Sequence, residues 1–182
     1  MLLASGHEVR VYSFTTDAEP YFPPHNEEVF GCLAGVGRFW RLDIKPGSPI
    51  GRNFDTQSID LHAPWVGYAL DRYFIDTSTH WAMARNLRTG ALTRCEVSGD
   101  FQWATGALPE LRVKPNGVVA FTAEEADLPH PAFGFGREVG FCDDDGLTVL
   151  DQGMEIEPHS LSLHGSRLTW SSGGEPRSAL LP

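Results

Sequence analysis

Four short segments of this chain say nearly the same thing: "HEVRVYS" from residue 7, "PWVGYAL" from 64, "NGVVAFTA" from 116 and "SRLTWSS" from 166. Set on their aromatic residues, Tyr12, Tyr68, Phe121 and Trp170, they recur at intervals of 56, 53 and 49 residues. Self-similarity at that period marks stacked units, each too small to bury its own apolar surface, as in propellers and solenoids. Upstream of each aromatic lies an apolar stretch and a tight turn, in "LLASGHE", "DLHAP", "LRVKPNG" and "LSLHGSR". Each such pair reads as a hairpin. A second hairpin follows in "GCLAGVGRFWRL", "NLRTGALTRC" and "FCDDDGLTVL", where Gly37, Gly90 and Gly146 separate two short apolar runs. Glycine supplies the positive φ that tight hairpin turns demand.

Two hairpins make four strands per unit, in repeats of about 1–43, 58–97, 108–151 and 159–182 within one domain. In the third unit the strands fall at about 110–114, 118–123, 137–142 and 147–150. The predicted fold is all-β and β-propeller-like: about four repeats of four-stranded antiparallel sheets, with the second-strand aromatic as a plug between neighbouring sheets. A β-sandwich with accidental similarity is the competing architecture. The last unit stops after its third strand and the first begins at its innermost strand with Met1, which leaves ring closure in question. An open arc would expose a sheet face and tend to self-associate.

The segments "NLRTGAL", "LRVKPNGVVAFTA" and "SLSLHGSRLTWSSGGEPRSALL" resemble uncharacterised bacterial propeller-like proteins of the WD40-like and TolB-like kind. The resemblance covers most of the chain and implies a fold and an extracytoplasmic or secreted location. It implies no activity. Such proteins usually carry a secretion signal, whereas "MLLASGHEVR" has neither a basic start nor a long apolar middle. A start truncated inside a longer original chain would account for the difference.

The formal charge of −10 argues against a nucleic-acid partner, because no basic patch is available for phosphates. No apolar run approaches the roughly 20 residues of a membrane-spanning helix. Cys32, Cys95 and Cys142 lie far apart without a CxxC pair, so no zinc spacing exists. Buried free thiols are the first expectation; one disulfide with an odd thiol is the alternative outside the cytosol. "DDDG" at 143–146 lacks the alternate-position acids of an EF-hand loop and reads as a turn. His25, His80, His130 and His159 never fall into ligand spacing, and no metal or cofactor is expected. Ser13, Ser78 and Ser171 lack a GxSxG elbow, while Trp65 and Trp81 occupy positions suited to a core. No enzyme signature is present.

The charge is unevenly placed. Connections at one end of each predicted sheet are tight ("SGHE", "AGVG", "RTG", "PNG", "DDDG"), whereas those at the other run through 17–28, 43–57, 71–79, 96–108, 124–136, 151–158 and 172–175. These seven stretches hold 17 of the 24 acids and only Lys45, Arg52 and Arg72 among the bases. Function tends to reside on long loops held by a rigid scaffold. The expected role is therefore a non-enzymatic binding or interaction scaffold whose acidic loop face takes a cation, a cationic ligand or a basic protein surface. The ligand-binding candidates are Asp17, Glu19, Asp71, Asp76, Glu124 and Asp127. The alternatives are a glycan-active enzyme or lectin working from a pair of these carboxylates, and a calcium-stabilised structural module.

Overall fold

A computed structural model describes residues 1–16, 26–42, 52–73, 78–98, 108, 110–125 and 136–182. Over these residues the chain forms fifteen β-strands and no helix. The first sheet contains β1 (Leu2–Ser5), β2 (Val9–Thr16), β3 (Asn26–Leu33) and β4 (Phe39–Arg41). The second contains β5 (Arg52–His62), β6 (Trp65–Tyr73), β7 (Ser78–Asn86) and β8 (Leu92–Ser98). The third contains β9 (Glu110–Val113), β10 (Val119–Glu125), β11 (Gly136–Asp143) and β12 (Gly146–Gly153). The fourth has three strands, β13 (Ser162–His164), β14 (Arg167–Ser172) and β15 (Glu175–Leu180). Every sheet is an antiparallel meander whose strands lie in chain order. The third unit matches the sequence expectation closely, and the fourth lacks its last strand as expected.

Burial follows from where each sheet sits in the stack. In β2, Val9, Val11 and Ser13 are buried while Arg10 and Phe14 are exposed, the alternation of a sheet covered on one face. From Trp65 to Leu70 in β6 and from Val119 to Ala123 in β10 every residue is buried, because those sheets are covered on both faces. Three apolar cores fill the gaps between successive sheets. Between the first two lie Val9, Val11, Val29, Leu33, Tyr68 and Met83. Trp65, Ala82, Leu111, Val113 and Phe121 lie between the second and third. Ala120, Val139, Phe141, Leu168 and Trp170 lie between the third and fourth. No such core among the described residues joins the fourth sheet to the first.

The second-strand aromatics behave consistently in three of the four sheets. Tyr68 packs with first-sheet valines, Phe121 with second-sheet Trp65 and Ala82, and Trp170 with third-sheet Val139 and Phe141. Each therefore plugs the gap to the preceding sheet. Tyr12 is the exception: its ladder partner is Phe30 and its ring neighbour is Phe14, all on the side turned away from the second sheet.

The tight turns gather at one end of the stack. The β1–β2 turn at Gly6 lies against Leu61 beside the β5–β6 turn, and Trp40 Nε1 in the first sheet donates to the Leu87 carbonyl next to the β7–β8 turn, at 2.9 Å. Asp60 Oδ2 in the second sheet accepts from the Val113 amide beside the β9–β10 turn, at 2.7 Å. Lys114 Nζ in that turn donates to Ser166 Oγ at 2.9 Å and to the Leu181 and Pro182 carbonyls of the fourth sheet.

The cysteines correct the first expectation. Cys95 on β8 and Cys142 on β11 form a disulfide with Cα atoms 5.8 Å apart, and only Cys32 keeps a free thiol. The pair joins the second sheet to the third inside their shared core, so the single-disulfide alternative is the one realised.

Candidate functional site

In a meander, connections leave alternately from opposite ends. With the tight turns at one end, the ladders close at the other on Thr16 opposite Asn26, Tyr73 opposite Ser78, and Glu125 opposite Gly136. These strand ends lie at the end of the stack remote from the tight turns, and 17–25, 74–77 and 126–135 lie outside the described residues. Away from the tight turns, side-chain ties also join the second sheet to the third and the third to the segment ahead of the fourth. Ser58 in β5 hydrogen-bonds the Leu108 carbonyl ahead of β9, and the Glu110 carboxylate at the start of β9 accepts from the Leu161 amide ahead of β13, at 3.2 Å.

Of the six ligand-binding candidates, Asp17, Glu19, Asp76 and Asp127 lie outside the described residues. Asp71 stands in β6 between Asn53 and His80 on the neighbouring strands, near the end where Tyr73 lies opposite Ser78. Glu124 stands at the corresponding end of β10, where its carboxylate lies 3.6 Å from the Arg137 guanidinium. Of the two that are described, Asp71 stands in the second sheet and Glu124 in the third.

Several acids counted in the long stretches have partners of their own, and two of them are strand residues. Glu28 belongs to β3 and pairs with Arg41 at 2.8 Å. Asp151 in β12 accepts from Trp170 Nε1 at 2.7 Å, which anchors the fourth sheet on the third. Glu157 accepts from the Gly174 amide at 3.0 Å. These carboxylates hold the scaffold together and are unavailable to a ligand without breaking a contact.

Among the described residues the most buried acid is Glu110, which sequence reasoning passed over. Besides the Leu161 amide it accepts from Thr122 Oγ1 at 3.4 Å, and the Arg112 guanidinium lies 3.8 Å away. Its neighbours are a backbone amide, a hydroxyl and a cation, so each oxygen is satisfied and the group works as a brace. Lys114 is the counterpart at the tight-turn end, where desolvation pushes its ammonium pKa below the usual lysine value of 10.5. Neither position carried a sequence signal, because burial of one charged residue depends on which sheet lies beside it.

"DDDG" is a turn, as expected: Asp143 Oδ1 accepts from the Asp145 amide at 2.9 Å and Gly146 has φ +114°. Among the described residues no three His, Cys, Asp or Glu side chains gather as metal ligands would. No described helix is long and apolar enough to cross a membrane.

No protein-family model, curated protein or solved structure matches the chain.

Proposed function

We propose that the protein is a non-enzymatic binding scaffold in which propeller-like sheets present their long, acid-rich connections on one side to a cation or a basic protein surface. The observation that carries this reading is the gathering of the tight turns, through Gly6 with Leu61, Asp60 with Val113 and Lys114 with Ser166, which leaves the long connections to the opposite end. What supports a radial reading is that Tyr68, Phe121 and Trp170 each fill the gap to the sheet before their own. Charge does the selecting. The long stretches hold 17 acids against three bases, Asp17, Glu19, Asp76 and Asp127 among them. The setting is extracytoplasmic, where a disulfide such as Cys95–Cys142 persists.

Binding of a lysine-rich peptide, followed by calorimetry across a salt series, tests the reading. Exchanging Asp17, Glu19, Asp76 and Asp127 together for Asn and Gln should abolish binding, whereas Asp144→Asn with Asp145→Asn at the tight-turn end should leave it intact. Equal losses from both sets, or binding indifferent to salt, would sink the proposal.

A further inference from the structure

We propose that the outward face of the first sheet is a homodimer interface, covered by the same face of a second copy of this chain. This is independent of the acidic connections. Cross-strand partners place Leu2, Tyr12, Phe30 and Arg41 on this face, along with Arg10, Cys32 and Phe39 and, two residues from Tyr12 in β2, Phe14. Phe14 and Phe30 meet edge to face at 5.8 Å in its centre. Leu2 is 51% exposed, Phe14 50% and Phe39 62%.

The repeat says what kind of surface belongs there. In the second, third and fourth sheets the second-strand aromatic is buried against the face of another sheet; Tyr12 holds the same place and, among the described residues, faces none. The face is thus continuous in kind with three interfaces that the chain already makes.

The opposite end of the stack decides which copy-to-copy contact forms. The outward face of the fourth sheet carries Ser162, Thr169, Ser171 and Ser178, with Arg167 beside Leu180. Head-to-tail stacking would set aromatic rings on those hydroxyls and leave them poorly hydrogen-bonded. The aromatic face instead matches itself, as a two-fold axis requires. Its charges permit this: Arg10, Glu28 and Arg41 put both signs around the apolar centre, so two copies need not repel. With about 200 Å² per aromatic side chain, the face offers roughly 500 Å² of apolar surface, and two copies bury on the order of 1,000 Å², enough for a specific interface of modest strength.

Sedimentation velocity on the full chain between about 1 and 100 µM tests this. The expected result is reversible passage from a 20.0 kDa species to one of twice that mass. Phe14→Glu and Phe39→Glu, each at an exposed position, should weaken association at least about tenfold with the thermal midpoint of the diluted protein unchanged. Leu180→Glu on the fourth sheet should not. Cys32, the free thiol on the face, gives a second readout: its alkylation by a bulky maleimide should slow at least about fivefold at the higher concentration. A monomer at every concentration overturns the proposal. So does a dimer that Phe14→Glu spares and Leu180→Glu disrupts, or a monomer whose aromatic face instead captures a different protein.

Discussion

The six-membered ring of Trp65, at the start of β6, lies flat against Gly117 in the β9–β10 turn of the next sheet, so close that a Cβ at Gly117 would come within 2.5 Å of Cη2. Gly117 has φ +92°, and its turn and the indole define each other. The same device recurs one sheet earlier, where Trp40 covers Gly90 at φ +83°. There Arg85 adds a hydrogen bond to the Gly90 carbonyl at 2.9 Å and stands 5.9 Å from the Trp40 ring.

Gly117→Ala should cost about 3 kcal/mol, combining a left-handed alanine with displacement of the indole. Gly35→Ala serves as the comparison, since Gly35 has φ +76° but nothing within 4 Å of its would-be Cβ. It should cost only about 1 to 2 kcal/mol. Urea unfolding of both variants measures the difference, and equal costs would show that Trp65 yields freely.

Replacing Cys95 and Cys142 together by alanine should lower stability by about 4 kcal/mol, the loop entropy released when a cross-link spanning 47 residues is lost. Guanidinium unfolding with and without reductant checks this. The wild-type protein under reductant should approach the variant, while the variant itself should not respond.

Glu110→Ala should destabilise by about 1 to 3 kcal/mol, because the Leu161 amide would remain buried without its acceptor. Glu110→Gln should recover part of the loss, since its amide oxygen can still accept. Hydrogen exchange at the Leu161 amide reports the local effect: protection there should fall in Glu110→Ala before global unfolding is affected.

Lys114 gives a pH dependence of known sign. Its folded pKa is depressed below the 10.5 it has when unfolded, so between those values the unfolded chain holds more protons. Stability from this group is therefore lowest at neutral pH and rises as pH climbs through the folded pKa toward 10.5. The unfolding free energy of the wild type minus that of Lys114→Met should increase over this alkaline window. A difference that stays flat or falls contradicts the desolvated site.

How much of this was readable from the chain depends on whether the cause lies within one sheet. The strand at 118–123 appears as β10 (Val119–Glu125), and "RTG", "PNG" and "DDDG" are turns, because alternation and turn glycines act over a few residues. The start of β5 at Arg52, earlier than the expected 58, was hidden by a register shift between Asp55 and Ile59 that breaks the alternation. Glu28 was counted with a connection, yet it pairs with Arg41 across β3 and β4. The partner of Cys95 was not legible at all. It is fixed by how β8 of one sheet meets β11 of the next, which spacing along the chain does not encode. The candidate site was legible only as a direction, the end opposite the tight turns.

Because each sheet is wound from consecutive strands, no described strand has to pass between two earlier ones. Copying a stretch of about 50 residues would add a layer without rerouting the others, and deleting one would bring two existing flanks together. Such a chain can gain or lose length in whole layers, and only the Cys95–Cys142 link would object to a cut between its two ends.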